Sequence, residues 1–194
     1  MKKPKRPDDT CITDDHWLSS ARRCLSPNQN ARPAGMPVSL VVVHGISLPP
    51  GEFGGPYIDA LFTNSLDSSQ HPYFHEIAGL KVSAHLLVRR DGQVVQYVPF
   101  DCRAWHAGMS CYGGQENCND FSIGIELEGT DEIPYTERQY EALVMVLGLL
   151  EARYPGTRGH LAGHSDIAPG RKTDPGPSFD WSHLHALRGK EHSG

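Results

Sequence analysis

Hydrophobic and polar positions along the chain predict a sheet of short strands. The β-branched run at residues 39–44 predicts a buried strand. Residues 121–129 carry apolar side chains at every second position, which predicts a strand with one apolar and one polar face. The apolar runs 81–89 and 94–98 flank an Asp-Gly pair, and this arrangement favours a β-hairpin.

Apolar residues at intervals of three and four predict the helices. Residues 56–66 have this spacing after a proline, which indicates a short amphipathic helix whose apolar face packs on the sheet. Thr136 and Gln139 have the spacing of a capping box, and the helical pattern that follows ends at the Tyr-Pro-Gly of residues 154–156. We predict that this is the main helix and that its role is structural. A brief terminal helix is expected around Leu184.

The chain length of 194 residues fits one domain with a single core. The charged amino terminus lacks the apolar stretch of a signal peptide, which predicts an arm instead of an export signal. We therefore expect a partly disordered arm at residues 1–24, a folded domain at residues 25–187 and a tail at residues 188–194.

Composition and charge exclude several classes of protein. A 38% share of hydrophobic and a 21% share of charged residues are typical of a soluble globular protein, and no apolar run is long enough to span a bilayer. A net charge of −5 without a basic stripe argues against a nucleic-acid partner. The five cysteines are odd in number and lack CxxC spacing, which argues against a disulfide scaffold and a thiolate metal cluster. We expect a reducing compartment, the cytoplasm.

A polar segment rich in proline and glycine is the first candidate for chemistry. Residues 163–176 read Gly-His-Ser-Asp-Ile-Ala-Pro-Gly-Arg-Lys-Thr-Asp-Pro-Gly, which predicts a shaped loop. Imidazole and carboxylate are good zinc ligands, so His164 and Asp174 are candidates, with Lys172 close to the second. His44, at the end of the first predicted strand, supplies a third candidate ligand. An ordinary solvated loop is the alternative interpretation.

Three protein ligands leave a fourth position for water, as in a catalytic zinc site. Glu126 and Glu128 lie on the polar face of one predicted strand, beside a glycine that leaves room for a ligand or for close packing. Either carboxylate could act as general base, and Lys172 could stabilise an oxyanion. Metal-assisted hydrolysis of an amide is the resulting interpretation. The HExxH, GxSxG and P-loop patterns of other mechanisms are absent from the sequence.

Two further histidines have an open role in this interpretation. His85 stands on the first strand of the hairpin and is either a packed neighbour of the site or a ligand. His106 follows Trp105 before a glycine-rich stretch, where the two could form a pocket wall or a buried structural element.

Five motifs in order resemble the type-2 zinc amidases of the peptidoglycan-recognition family, and within it the cytoplasmic 1,6-anhydro-N-acetylmuramoyl-L-alanine amidases. They read His44-Gly-Ile-Ser-Leu-Pro-Pro-Gly-Glu-Phe-Gly-Gly, Val82-Ser-Ala-His, Arg103-Ala-Trp-His-Ala-Gly, Cys118-Asn-Asp-Phe-Ser-Ile-Gly-Ile-Glu-Leu-Glu-Gly-Thr and Gly163-His-Ser-Asp-Ile-Ala-Pro-Gly-Arg-Lys-Thr-Asp-Pro-Gly. The resemblance implies an α/β (α+β) fold with a central mixed β-sheet flanked by helices.

The resemblance also implies a role for each matching residue. One Zn²⁺ would be held by His44, His164 and Asp174. Glu126, in preference to Glu128, matches the catalytic carboxylate, and Lys172 matches the transition-state lysine. The substrate pocket would be lined by Tyr73, Trp105, Leu127 and Ala168. Asp166 then shapes the loop or supports a ligand without binding the metal.

Three positions depart from the pattern of this family. Gly45 stands where Asn is usual, Asn117 where Arg is expected, and Lys81 in place of an Arg. The first two changes would remove polar contacts with the substrate, and they leave the metal ligands and the catalytic pair intact. The exchange of Arg for Lys replaces a bidentate carboxylate contact by a point charge.

The implied activity is hydrolysis of the amide between the lactyl group of 1,6-anhydro-N-acetylmuramic acid and L-alanine, during peptidoglycan recycling. The implied partner is an anhydro-muropeptide, and we expect a monomer without a nucleic-acid or membrane partner. Loss of the activity would affect β-lactamase induction. The alternatives are a non-catalytic muropeptide-binding module and an amidase that acts on polymeric cell wall.

Overall fold

The computed structural model describes residues 10–191 of the chain, and residues 1–9 of the predicted arm and 192–194 of the predicted tail lie outside this range. The strands are β1 (Arg22–Arg23), β2 (Gln29–Ala31), β3 (Leu40–Ile46), β4 (Leu86–Val88), β5 (Val94–Gln96), β6 (Cys102–Ala104), β7 (Cys111–Tyr112), β8 (Gln115–Glu116), β9 (Ser122–Glu128) and β10 (Leu161–Gly163). The α-helices are α1 (Tyr57–Phe62), α2 (Phe74–Ile77), α3 (Glu137–Arg153), α4 (His164–Ile167) and α5 (Trp181–Glu191).

A mixed sheet of six strands forms the centre of the molecule, in the order β1-β5-β4-β9-β3-β10. Strand β9 is parallel to both β3 and β4, β10 is parallel to β3, and β5 is antiparallel to β4. Two small antiparallel pairs, β2 with β6 and β7 with β8, lie outside this sheet. The predicted mixed sheet with flanking helices is confirmed.

The longest pairing in the sheet joins β3 and β9, which run parallel over seven residues. In this register His44 lies opposite Glu126. The β-branched run of β3 is buried as expected for a central strand, since both of its faces are covered. A rigid pair of central strands therefore fixes the backbone positions of two predicted site residues.

Helix α3 covers one face of the sheet. Its predicted capping box is present: the Thr136 side chain accepts a hydrogen bond from the Gln139 backbone, and the Gln139 side chain accepts one from Thr136. Leu143, Leu147 and Leu150 of α3 are buried in one cluster with the apolar face of β9. Each such leucine contributes roughly 1.5–3 kcal/mol by leaving water. Helix α5 packs on α3 and joins this layer through Leu184.

Helices α1 and α2 cover part of the opposite face. Ile58 and Phe62 of α1 and Phe74 of α2 are buried against Leu87 and Val95 of the hairpin strands. Leu87 is fully buried among these residues, whereas its neighbours along β4 face the α3 layer. The sheet is thus enclosed between two helical layers, and within the described residues no helix is both long and apolar enough to span a bilayer.

The structure corrects the predicted ends of the domain. The arm was expected to extend to residue 24, but Leu18 is buried in the core and its backbone N–H donates to Gln96 Oε1 at 2.6 Å. Strand β1 pairs with β5 at the edge of the sheet, so residues 10–24 belong to the folded unit. At the other end α5 extends to Glu191, past the predicted boundary at 187.

Several local elements are shorter than predicted. Helix α1 ends at Phe62, where the pattern extended it to residue 66, and the first hairpin strand begins at Leu86 instead of residue 81. Ser83 N pairs with the carbonyl of Trp105, which lies off the central sheet, and the bonds to the sheet begin with His85 N, which donates to Gly124 O. Asp-Gly does form the turn of the hairpin, as predicted.

Candidate metal centre and catalytic cleft

The carboxyl ends of neighbouring parallel strands bring the candidate ligands together. His44 lies near the end of β3, and His164 is the first residue after β10, which pairs with β3. Parallel strands end at the same edge of a sheet, so two histidines 120 residues apart in the chain become neighbours. The loop after α4 then returns Asp174 to this edge, where its backbone carbonyl accepts a hydrogen bond from Ser165 N.

Three donor atoms meet at one point. His44 Nδ1 and His164 Nδ1 are 3.0 Å apart, His164 Nδ1 and Asp174 Oδ2 are 3.0 Å apart, and His44 Nδ1 and Asp174 Oδ2 are 3.3 Å apart. Zinc bonds of about 2.0–2.2 Å in a tetrahedron need ligand atoms roughly 3.3 Å apart. The three distances fit a single metal ion of this size, and lone pairs directed at one another are stabilised by a cation between them.

The remaining ring nitrogens of both histidines face other partners. His44 Nε2 lies 2.9 Å from His106 Nδ1, and His164 Nε2 lies 3.3 Å from the carbonyl oxygen of Ala107. Gly45 N lies 3.4 Å from Asp174 Oδ2. Each imidazole is therefore held through its Nε2 while its Nδ1 points into the common space, whereas Gly45 N approaches the same Asp174 oxygen that faces the two histidines.

Burial and neighbouring charge favour the metal-binding forms of His44 and Asp174. Burial lowers the pKa of His44 to about 4, although the neighbouring Asp174 carboxylate opposes this shift. Burial alone would raise the pKa of Asp174, but its close contacts with the His164 and His44 imidazoles outweigh burial and hold the pKa far below its usual value. At neutral pH His44 is unprotonated and Asp174 is a carboxylate, the states that bind a metal.

Glu126 lies beside this cluster with a free carboxylate oxygen. Its Oε2 is buried and has no hydrogen-bond partner among the described residues. Burial raises the pKa of Glu126 well above its usual value, the charge of Asp174 adds to the rise, and the Lys172 ammonium opposes it. A carboxyl group without a partner and with a raised pKa is suited to accept and return a proton.

An open cleft of about 670 Å³ gives access to these groups. Tyr73 and Trp105 line it, and so does the exposed Lys172. The Trp105 indole donates to Asn30 Oδ1 at 2.7 Å, which fixes the ring in the wall. Of the four residues expected in the substrate pocket, these two aromatic residues lie in the cleft.

The other two expected pocket residues lie elsewhere. Leu127 is fully buried, and its side chain packs in the α3 layer, because odd-numbered positions of β9 face away from the cleft. The expectation that this side chain lines the pocket is wrong. Ala168 borders a neighbouring cavity of about 440 Å³ that it shares with Asn117. Arg171 borders both cavities.

Two acidic residues close to the site in sequence, Glu128 and Asp166, bind backbone N–H groups. Glu128 is buried, and its carboxylate accepts hydrogen bonds from Gly54 N and Arg90 N, so it fastens two loops to β9. Asp166 is exposed and accepts a hydrogen bond from Gly163 N at 2.7 Å, which shapes the start of α4 as expected.

Two contributors to the site had no clear signal in the sequence. The Arg171 guanidinium donates to the carbonyls of Ala107 and Met109, and it thereby ties the loop of Asp174 to the segment behind His164. Asn119 Oδ1 accepts from the backbone N–H of both His106 and Ala107. These contacts join segments far apart in sequence, and only the motif match could have pointed to them.

A His–His–Asp cluster at the edge of a mixed sheet, with a free carboxylate beside it and an open cleft above, defines a hydrolase site compatible with a metal ion. The family model described as N-acetylmuramoyl-L-alanine amidase matches residues 34–177. The chain belongs to this family and is an amidase of this type. The alternative of a non-catalytic binding module is therefore set aside.

Individual relatives cover nearly the whole chain. The 1,6-anhydro-N-acetylmuramyl-L-alanine amidase AmpD of Enterobacter cloacae is 62% identical over 91% of this chain and 94% of its own length. AmpD of Escherichia coli K12 is 59% identical over 93% of this chain and 98% of its own length. A crystal structure of an AmpD derivative superposes with a TM-score of 0.89 at 61% identity, covering 91% of this chain and 98% of the other.

A more distant relative was solved with a bound substrate. It is the E. coli N-acetylmuramyl-L-alanine amidase AmiD in complex with anhydro-N-acetylmuramic acid-L-Ala-D-γ-Glu-L-Lys. This structure matches with a TM-score of 0.57 at 30% identity, over 82% of this chain and 61% of that one.

Proposed function

We propose that this enzyme is a zinc-dependent amidase that cleaves the bond between the lactyl group of 1,6-anhydro-N-acetylmuramic acid and L-alanine. The observation that carries the proposal is the convergence of His44, His164 and Asp174 next to the unpartnered carboxylate of Glu126. The relatives named for this substrate, at 59–62% identity, supply the substrate class.

His44, His164 and Asp174 would hold the zinc ion, since two imidazoles and one carboxylate are a donor set that zinc accepts. When bound, zinc polarises the scissile carbonyl and lowers the pKa of water, which supplies a nucleophile near neutral pH. The three ligands leave the cleft side of the cluster open to the substrate. Burial of the two imidazoles limits the access of bulk water to their ring nitrogens.

Glu126 would move the proton. Its Oε2 accepts a proton from the attacking water and later donates it to the nitrogen of L-alanine as the amide bond breaks. A raised pKa suits both roles, because the same group must take up and release a proton. Lys172, on the rim of the cleft, would stabilise the negative charge that develops on the carbonyl oxygen.

Tyr73 and Trp105 would contact the substrate, because both side chains line the cleft. An aromatic face packs well against the apolar face of a bicyclic sugar, and the fixed Trp105 ring costs little ordering entropy on binding. Ala168 and Asn117 would contact only a substrate that extends into the neighbouring cavity.

The proposed setting is peptidoglycan recycling in the cytoplasm, with an effect on β-lactamase induction through the uncleaved fragments. All five cysteines lie within the described residues and are free thiols, as is usual in a reducing compartment. Fractionation of the native host, with the protein followed by antibody, tests this setting. Recovery of the protein outside the cytoplasm would contradict it.

The decisive experiment combines metal content with substrate choice. We expect about one zinc per chain by elemental analysis, loss of activity after chelation, and recovery with zinc. Anhydro-muropeptide should be cleaved faster than the same muropeptide with an ordinary reducing sugar, and faster than intact sacculi. A preference for sacculi would instead favour an amidase of polymeric wall, and full activity without metal would refute the zinc centre.

A metal-ligand variant provides a matched test. Asp174→Ala should lose both zinc and turnover, since two neutral imidazoles alone hold the ion poorly. Asp166→Ala is the control, because Asp166 lies in the same segment and its carboxylate holds only Gly163 N. Equal zinc loss in both variants would point to general disruption of the loop.

A further inference from the structure

A series of hydrogen bonds between side chains connects a backbone carbonyl to the candidate ligand His44. Ser122 Oγ lies 2.6 Å from the carbonyl oxygen of Cys118 and 3.1 Å from His106 Nε2. His106 Nδ1 lies 2.9 Å from His44 Nε2. The far ring nitrogen of His44, Nδ1, is the atom directed at His164 and Asp174.

The carbonyl at the start of this series fixes the direction of every hydrogen bond in the series. A carbonyl oxygen only accepts, so the Ser122 hydroxyl donates to Cys118 and its oxygen is left to accept from His106 Nε2–H. A neutral imidazole that carries its proton on Nε2 has a bare Nδ1. His106 Nδ1 therefore accepts from His44 Nε2–H, and the lone pair of His44 is on Nδ1, towards the metal.

We propose that His106, itself held by Ser122, is a positioning residue that keeps His44 in the Nε2–H tautomer with Nδ1 free to bind the metal. This inference rests on the proposed zinc-dependent function. It assigns a task to a half-buried histidine on the cleft wall that is not itself among the three converging ligands. His164 has a simpler restraint, since its Nε2 faces the carbonyl of Ala107 directly.

The surrounding structure holds the His106 ring in place for this task. Gly124 of β9 lies beneath the ring, and a Cβ atom there would collide with His106 Cγ. Asn119 fixes the His106 backbone through its N–H, and the ring packs edge-on against that of His44 at a centroid distance of 4.9 Å. Gly124 thus allows the close approach of the His106 ring. Asn119 fixes the backbone of His106, and Ser122 fixes its ring.

Two substitutions of His106 distinguish hydrogen bonding from space filling. Leu fills the volume but accepts no hydrogen bond, whereas Asn is smaller and offers an amide oxygen attached to Cγ, as Nδ1 is in histidine. We expect His106→Leu to weaken zinc affinity by about 10–100-fold, the usual effect of losing a partner that orients a ligand. His106→Asn should recover most of this loss. If the His106→Leu variant binds zinc more tightly than the His106→Asn variant, the ring only fills space and the proposal fails.

Ser122→Ala tests the next link, with Ser26→Ala as the matched control. Both serines are fully buried, and each donates to a backbone carbonyl while accepting one N–H. Ser26 does not line the cleft, and its hydroxyl donates to Phe62 O instead of to a group that contacts a candidate ligand. We expect Ser122→Ala to lower zinc affinity and Ser26→Ala to leave it unchanged, as measured by competition with a chromophoric chelator. Equal zinc affinities in the two variants would contradict the proposed role of Ser122 in holding His106.

A measurement without metal separates this inference from the proposed function. Histidine ¹⁵N chemical shifts of the metal-free protein should assign His44 to the Nε2–H tautomer, and His106→Leu should mix the two tautomers. A His44 proton on Nδ1 in the metal-free wild type would overturn the proposal. If the wild type has the expected tautomer but does not bind zinc, the zinc-dependent function is contradicted, while the positioning of His44 by His106 is still supported.

Discussion

The two faces of β9 differ in what they contribute. Ile123, Ile125 and Leu127 point into the core beneath α3 and are fully buried. The alternate positions include Glu126, whose carboxylate has an unpartnered oxygen, and Gly124, which has no side chain at all. One strand of seven residues therefore carries stability on one face and chemistry on the other.

This division shows why the site can hold unfavourable groups. A buried carboxyl without a partner costs free energy, and the apolar face a few ångströms away offsets that cost through side-chain burial. Substitution of Glu126 should therefore affect the reaction more than the fold. Substitutions on the apolar face should do the reverse.

The largest expected effect comes from removal of the free carboxylate. Glu126→Gln keeps the size of the side chain and removes its ability to accept a proton, so we expect turnover to fall by about 10²–10⁴-fold. Zinc content and the unfolding transition should be retained. Steady-state rates with anhydro-muropeptide, together with elemental analysis, provide the measurement, and a near-normal rate would move the general base to another residue.

Truncation on the opposite face should give the complementary result. Ile125→Ala removes a fully buried side chain next to Glu126 in sequence, and we expect the unfolding free energy to fall by about 2–5 kcal/mol. The rate per folded molecule should change little, because the backbone register of β9 with β3 is unaffected. Urea denaturation and activity of the folded fraction test this. A loss of activity comparable to that of Glu126→Gln would abolish the distinction between the two faces.

Glu128 shares the polar face with Glu126 but is a structural residue by its contacts. Its carboxylate accepts from Gly54 N and Arg90 N, so Glu128→Gln should weaken the attachment of two loops and cost about 1–3 kcal/mol of unfolding free energy. Turnover should fall far less than in Glu126→Gln. Paired denaturation and rate measurements on the two variants decide the matter, and a larger rate loss in the Glu128 variant would reverse the assignment.

The sequence predicted the parts of this arrangement that depend on local pattern. Strands β3 and β9 and helix α3 follow from continuous apolar runs, from alternation and from a capping box, and all three are confirmed. The convergence of His44 with the segment 163–176 was also expected, since one residue ends a buried strand and the other segment is a shaped loop. The structure brings these residues together.

Long-range contacts set the limits of that prediction. Spacing places Glu126 and Glu128 on one face, and only the backbone amides of distant loops distinguish them. Alternation does place Leu127 in the core, and the family match led to the wrong expectation for its side chain. The two-residue strand β1 carries no local signal, because its position depends on pairing with β5, 73 residues later in the chain.

The smallest expected effect tests the helix that covers the apolar face. Thr136→Ala removes the side chain that accepts from Gln139 N and donates to Arg90 O, and we expect a loss of about 0.5–2 kcal/mol of unfolding free energy. Thermal unfolding measures it, with Thr173→Ala in the loop of Asp174 as a surface control that should cost less. Zinc affinity should remain that of the wild type in the Thr136 variant, because α3 contacts the face of β9 that is turned away from the ligands. A drop in zinc affinity that follows the drop in stability would mean that the two faces are coupled through the strand.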